Sequence, residues 1–159
     1  MIHFDKDNNR FNYRIVGIAL RGDSVLLHQA TGDAFWTFPG GRAEFGETAE
    51  QTLKREMIEE IHAEVEIVRL LWFVENFFRY ADMNYHEIAL YFLMRLPPAD
   101  NFMTGTGPFR GKEADVELTF QWVPNNSETL SNLPLLPGFL QTALQQLPES
   151  TQHIVHRDE

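Results

Sequence analysis

Strand-like and helix-like hydrophobic patterns alternate along the chain. Short runs rich in β-branched and aromatic residues are typical of strands, and the first two runs flank Arg21-Gly22-Asp23, a turn sequence in which glycine can adopt a positive φ. The runs that predict strands are YRIVGIAL, SVLLHQ, FWTF, EIVRLLWFVENFFRY, HEIALYFLMRL and VELTFQWVP. Predicted strands therefore lie both before and after the longest helical pattern.

That helical pattern covers residues 48–61. Its apolar residues recur at intervals of three or four, as on one face of a helix, and Thr48 with Gln51 fits a capping box at the start. The apolar face consists of Ala49, Leu53, Met57, Ile58 and Ile61. The same spacing predicts a second helix over residues 137–147, with Pro137 near its start.

The order of these elements predicts one domain over residues 1–159. A mixed sheet with a helix on each face, an α/β (α+β) sandwich, accounts for strands on both sides of the first helix. No linker or repeat divides the chain, and residues 149–159 are expected to form a flexible tail.

Composition narrows the possible partners. Thirteen Lys and Arg against 23 Asp and Glu give a formal charge of −10, which disfavours binding to a nucleic-acid backbone or an anionic membrane. No apolar run reaches the roughly 18 residues of a membrane-spanning helix. Cysteine is absent, which excludes disulfides and thiol catalysis and is compatible with the cytoplasm, where we expect the protein.

Three glutamates lie close together on the first predicted helix. Glu56, Glu59 and Glu60 share an arc of about 100° around the helix axis, so their like charges repel. On the helix alone, a solvated acidic face is the commoner explanation for such a group.

The loop before the helix favours a cation-binding site over a solvated acidic face. Gly40-Gly41 and Gly46 allow sharp turns or a close approach to the backbone, and Glu44 and Glu47 add two carboxylates to the same segment. A glycine-rich loop that leads into an acidic helix suits a hard cation such as Mg²⁺, which takes oxygen ligands from carboxylates, water and phosphate.

The segment GRAEFGETAEQTLKREMIEEIHA resembles the Nudix box, G-x5-E-x7-R-E-U-x-E-E-x-G-U, where U is a bulky aliphatic residue. The matching residues are Gly41, Glu47, Arg55, Glu56, Met57, Glu59 and Glu60. His62 and Ala63 depart from the pattern, since the family has glycine and a bulky aliphatic residue there. His62 stands where a helix commonly ends in the left-handed conformation, so we interpret it as a reshaped helix terminus rather than a ligand.

The resemblance implies an enzyme that hydrolyses the diphosphate linkage of a nucleoside diphosphate derivative with Mg²⁺ or Mn²⁺. It implies metal ligation by Glu56, Glu59 and Glu60, with Gly41 as a further candidate through its carbonyl group. Glu59 or Glu56 would act as the base, and Arg55 with Glu47 would brace the loop against the helix.

Five residues outside the box are candidates for binding the substrate. Glu113 and Glu117 lie in a region from which family members often supply a further glutamate, and each could equally be a surface charge. Glu87 is a carboxylate inside an aromatic strand pattern, which is unusual. Phe78 could stack on a base and Arg79 could bind phosphate.

Three functions remain open. The first is hydrolysis of a nucleoside triphosphate, a nucleotide sugar or an ADP-ribose-like compound, and the second is a silent Nudix-like module that senses a nucleotide or binds a partner. Non-hydrolytic chemistry on a diphosphate is the third, which the absence of cysteine disfavours. The expected partner is a small nucleotide rather than a nucleic acid or a membrane, and the family suggests a possible homodimer.

Overall fold

The chain folds into one large mixed sheet with helices on both faces. The structure, a computed structural model, describes residues 1–158. The strands are β1 (His3–Lys6), β2 (Asn9–Arg21), β3 (Ser24–Ala30), β4 (Gly40–Arg42), β5 (Glu66–Tyr80), β6 (Met83–Arg95), β7 (Phe109–Glu113), β8 (Val116–Pro124) and β9 (Gln152–Arg157). The helices are α1 (Ala49–Ile61), α2 (Asn101–Thr104), α3 (Ser127–Ser131) and α4 (Leu140–Ala143).

Two long strands, β2 and β6, lie side by side and parallel at the centre of the sheet. On one side the order continues through β5, antiparallel to β6, and β9, parallel to β5. On the other side β3, β8 and β7 follow in antiparallel pairs. The short strands β1 and β4 also pair with β2, which places the loop before α1 against the centre of the sheet.

Apolar side chains fill a core on each face of this sheet. On one face Leu53 and Met57 of α1 pack against β2, β3 and β6. On the other face Leu130 of α3 and Leu140 of α4 pack against the alternate residues of the same strands. The predicted mixed sheet between helices is therefore confirmed. No helix within residues 1–158 has an apolar stretch long enough to cross a membrane.

Helix α1 begins and ends where the sequence predicts. Thr48 and Gln51 form both hydrogen bonds of a capping box. At the other end His62 adopts φ 55° and ψ 33°, the left-handed conformation. The Ala63 N–H then reaches the Met57 carbonyl oxygen at 3.3 Å, so the helix closes as it would with the family's glycine.

Substituting His62 by glycine should stabilise the protein by about 0.5–1 kcal/mol, because glycine adopts this conformation without a Cβ clash. Chemical denaturation measures the change. Glu64→Gly provides the control: Glu64 is exposed and has no positive φ, so glycine there should destabilise. A loss of stability in His62→Gly would contradict the assignment of strain to this residue.

Two expectations about the C-terminal region need correction. Residues 149–159 are expected to be flexible, yet Gln152–Arg157 form β9 along the open edge of β5, with Ile154 packed against the core. The helix expected over residues 137–147 is reduced to α4, although Leu140 and Leu144 are buried as its pattern predicts. Both differences arise from tertiary packing, because β9 adds a strand at the edge of the sheet and α4 packs on one sheet face.

Candidate metal centre

Helix α1 directs two carboxylates into the protein. Glu56 and Glu60 lie one turn apart and are only 7% and 2% exposed. Burial is the main cause that raises the pKa of Glu56, and it raises the pKa of Glu60 well above its usual range. The two Glu60 carboxylate oxygens are enclosed and accept no hydrogen bond within the described chain. An unpartnered buried carboxylate is costly, so this position calls for a cation.

Glycine at two strand positions lets the backbone pass close to these glutamates. A Cβ on Gly41 of β4 would overlap the carboxylate of Glu56. A Cβ on Gly111 of β7 would lie 2.7 Å from the Glu60 carbonyl oxygen. The sequence GG in the loop and the glycine in FRGKE therefore serve the same purpose, which is to bring strand backbones against α1.

The close approach of β7 brings in a third carboxylate. Glu113 lies two residues beyond Gly111 on the same face of the strand, and it adds an oxygen to those of Glu56 and Glu60. One oxygen from each of the three side chains lies within 4.8 Å of the others. We call Glu56, Glu60 and Glu113 the carboxylate cluster. Three oxygen donors this close, one of them buried and unpaired among the residues that the structure describes, fit a hard divalent cation.

Arg55 connects the carboxylate cluster to the preceding loop. Its Nε and Nη2 donate to the two Glu47 oxygens at 2.7 and 3.1 Å, a bidentate pair. Nη1 donates to Glu56 at 2.8 Å and to Glu59 at 3.2 Å, and Nη2 also donates to the Arg42 carbonyl oxygen at 3.1 Å. A single guanidinium thus fixes three carboxylates and a strand end.

Glu47 is held on the loop side of this contact. Its Oε1 also accepts the Glu44 N–H at 2.9 Å and the Thr52 hydroxyl at 3.0 Å. The hydrogen bond from Arg55 is the main cause that lowers the pKa of Glu47 to about 2. Glu47 is therefore a structural anion, and the loop that carries Gly41 is tied to α1 through it.

The structure separates the predicted metal ligands into two groups. Glu56 and Glu60 lie in the carboxylate cluster, together with Glu113, while Glu59 lies on the exposed flank of the helix and contacts Arg55. Gly41 lies directly beneath the Glu56 carboxylate.

The remaining predicted substrate residues are scattered. Arg79 is exposed and pairs with Asp82 at 3.8 Å, and the Glu117 side chain is exposed on β8. Phe78 is half-buried in a stacked pair with Tyr85. Glu87 is buried and accepts a hydrogen bond from Asn12 at 2.6 Å, on the sheet face opposite α1.

Sequence reasoning did not single out Asn12, Arg14 and Asn76, which lie on that same face near Glu87. Asn12 and Asn76 are buried, and the Oδ1 atom of each has no hydrogen-bond partner within residues 1–158. The sequence does show polar residues at alternate positions of these long apolar strands. Alternation alone, however, predicts that such residues face solvent, so it gives no sign that they are buried.

Replacing Glu113 by glutamine should weaken Mn²⁺ binding about tenfold or more, because it removes one of three charged oxygen donors. Electron paramagnetic resonance of free Mn²⁺ measures this without any substrate. Glu117→Gln is the matched control, since it removes an exposed carboxylate from the neighbouring strand. Equal affinities in the two variants would remove Glu113 from the cluster.

Comparison with known proteins gives relatives that match about half of this chain. An RNA pyrophosphohydrolase of Serratia proteamaculans (strain 568) is 41% identical over 76 residues, which are 48% of this chain and 43% of that protein. A corresponding protein of Pseudoalteromonas atlantica is 45% identical over the same length. The chain thus matches less than half the length of these curated relatives.

Solved structures show the same fold at lower identity. A UDP-X diphosphatase superposes with a TM-score of 0.60 at 17% identity, covering 90% of this chain and 66% of that one. A MutT NUDIX hydrolase from Burkholderia pseudomallei gives 0.57 at 23% identity, covering 86% and 97%. The family model described as the NUDIX domain matches residues 12–137, which include the carboxylate cluster and the arginine that braces it, so this chain belongs to the NUDIX family.

Proposed function

We propose that the protein is a divalent-cation-dependent hydrolase that cleaves the diphosphate linkage of a nucleotide derivative. The observation that carries the proposal is the carboxylate cluster, in which the buried Glu60 accepts no hydrogen bond from residues 1–158 and faces two further carboxylates. Mg²⁺ or Mn²⁺ suits these oxygen donors. The family membership and the names of the relatives agree with this chemistry.

In this proposal three side chains bind the cation and a fourth accepts a proton. Glu56, Glu60 and Glu113 would bind the cation, which when bound polarises phosphoryl oxygens and acidifies a coordinated water. Arg55 fixes the Glu56 carboxylate through a 2.8 Å hydrogen bond, so that this ligand cannot turn away. Glu59 lies outside the cluster, and its exposed carboxylate, which contacts Arg55, would accept a proton from the attacking water.

A second substrate class follows from the relatives. Several of them are RNA pyrophosphohydrolases, so the expectation that no nucleic acid is a partner needs a direct test on a 5′-triphosphorylated oligonucleotide. The chain's charge of −10 opposes binding along an RNA backbone and favours contact with the 5′ end alone.

The test is a substrate panel assayed with and without Mg²⁺ for phosphate release through coupled pyrophosphatase or phosphatase. The panel contains nucleoside triphosphates, nucleotide sugars, ADP-ribose and a 5′-triphosphorylated oligonucleotide. We expect metal-dependent turnover of at least one class and its loss in Glu59→Gln. Tight nucleotide binding without turnover on any substrate would support the silent, nucleotide-sensing alternative.

A further inference from the structure

The sheet face opposite α1 carries a row of buried polar side chains. Asn12 of β2 pairs in register with Glu87 of β6, which pairs with Asn76 of β5. Paired residues on adjacent strands point to the same face, and the next row on that face, Ala89 and Val74, belongs to the core under α3 and α4. We call Asn12, Glu87 and Asn76 the polar row.

The polar row is poorly satisfied by the protein itself. Asn12 donates its Nδ2 to Glu87 Oε2 at 2.6 Å, and this is the one side-chain hydrogen bond that Glu87 makes within the described residues. The enclosed Oδ1 atoms of Asn12 and Asn76 have no partner there. Buried polar groups are nearly always paired, so this row presents acceptor positions that a hydrogen-bond donor would satisfy.

Aromatic rings lie beside the polar row, on one side of it along the strands. Two residues before Glu87 along β6, Tyr85 pairs in register with Phe78 of β5. Their half-buried rings are stacked with centroids 4.7 Å apart, and Phe35 and Tyr80 form an edge-to-face pair nearby. Exposed faces of such rings stack on planar ligands.

A cation lies beside the polar row on its other side along the strands, in the row that contains Ala89. Arg14 follows Asn12 by two residues on the same face of β2, and its Nη2 donates to the Phe38 carbonyl oxygen at 3.1 Å. Burial lowers the pKa of Arg14, but nearby carboxylates, Glu87 first and then Glu113, raise it overall. Arg14 also pairs in register with Arg42 of β4, the neighbour of Gly41 that lies against Glu56, so it adjoins both the polar row and the strand that covers the carboxylate cluster.

We propose that the polar row binds the hydrogen-bonding edge of a guanine base in a substrate whose diphosphate lies at the carboxylate cluster. This inference rests on the proposed function and specifies its substrate class. The rings of Phe78 and Tyr85 provide the stacking surface. Arg14 balances negative charge on the path from the base to the phosphates.

The choice of guanine follows from donor and acceptor patterns. An ionised carboxylate only accepts hydrogen bonds, and guanine presents two adjacent donors, N1–H and the N2 amino group, to match Glu87. The second hydrogen of the N2 amino group can be donated to an open amide oxygen of the polar row, Asn12 Oδ1 or Asn76 Oδ1. Adenine and cytosine present a ring acceptor next to their amino group, which would face the Glu87 carboxylate without a proton between them.

The experiment compares guanine and adenine nucleotides in the wild type, in Glu87→Gln and in the control Glu75→Gln. Glu75 is a β5 carboxylate on the opposite sheet face, where it contacts His153. Binding of GDP and ADP by calorimetry and kcat/KM for GTP and ATP are both measured, with melting temperatures. We expect a guanine preference of about 10- to 100-fold in the wild type and in Glu75→Gln, and its loss in Glu87→Gln.

Each outcome decides between the inference and the proposed function. Equal affinity for GDP and ADP in the wild type would overturn the inference, even if every nucleotide is hydrolysed. A guanine preference that survives in Glu87→Gln would also overturn it. A guanine preference in binding without hydrolysis of any substrate would support the inference and remove the proposed function. If Glu87→Gln does not fold, Phe78→Ala at the partly exposed ring should reduce GDP affinity instead.

Discussion

Glu60→Gln is expected to lower metal-dependent turnover about 100-fold or more and to raise the melting temperature of the metal-free protein. The two effects have one cause. Glu60 is a buried carboxylate that has no hydrogen-bond partner in the described part of the chain, so its charge is costly until a cation binds. Glutamine keeps the shape of the side chain, removes that charge and provides no anionic ligand.

The effect of Glu60 on the stability of the metal-free protein should depend on pH. The folded protein raises the pKa of Glu60 well above its ordinary value of 4.5, mainly through burial. The folded state therefore holds the proton more tightly than the unfolded chain. The stability that Glu60 contributes is fully present below pH 4.5 and is lost as the pH rises through the folded-state pKa. Metal-free Glu60→Gln should lack this decline.

Thermal denaturation from pH 4 to pH 8, with and without Mg²⁺, measures both effects. The wild type should gain stability on adding Mg²⁺ at neutral pH, and Glu60→Gln should not. Glu64→Gln, at an exposed position three residues after the helix, should follow the wild type in both conditions. A variant that still gains stability from Mg²⁺ would show that the metal binds elsewhere.

The distinction between Glu60 and Glu59 marks the limit of what the sequence could predict about the site. Helical periodicity places Glu56, Glu59 and Glu60 on one arc, and the box pattern names all three. An arc of about 100° spans both the buried and the solvent-facing side of a helix, so the pattern does not determine how deep each residue lies. That depth is determined by β4 and β7, which cover Glu56 and Glu60 and leave Glu59 exposed.

Residues distant in sequence were harder to predict for the same physical reason. The sequence does not distinguish Glu113 from Glu117 as a candidate for the site. Only the contact between Gly111 and α1 brings Glu113 into the carboxylate cluster. Asn12 and Asn76 become neighbours of Glu87 only through the pairing of three strands. Local elements such as α1 and its capping box, in contrast, depend on residues a few positions apart.

Arg55→Lys is expected to lower turnover about 10- to 100-fold and to destabilise the protein, although the charge is kept. Lysine has a single ammonium group in place of a planar fork. It cannot hold both Glu47 oxygens while it also bonds Glu56. The loop that carries Gly41 would then be released from α1, and Glu56 would lose the contact that orients it.

The loss of stability in Arg55→Lys should itself depend on pH. The hydrogen bond from Arg55 lowers the pKa of Glu47 to about 2, from an ordinary value of 4.5. A lowered folded-state pKa contributes stability that is present above pH 4.5 and is lost as the pH falls towards 2. Denaturation should therefore show the largest difference between Arg55→Lys and the wild type near neutral pH, and a smaller one in acid.

Lys54→Gln is the matched control, because Lys54 is the neighbouring cation on α1 and its side chain is exposed. It should leave both turnover and the pH profile of stability close to those of the wild type. If Arg55→Lys instead kept full turnover, charge alone would suffice at this position. The fixed geometry of the Arg55 contacts with Glu47 and Glu56 would then be unnecessary for catalysis, and the positioning role assigned to Arg55 would be wrong.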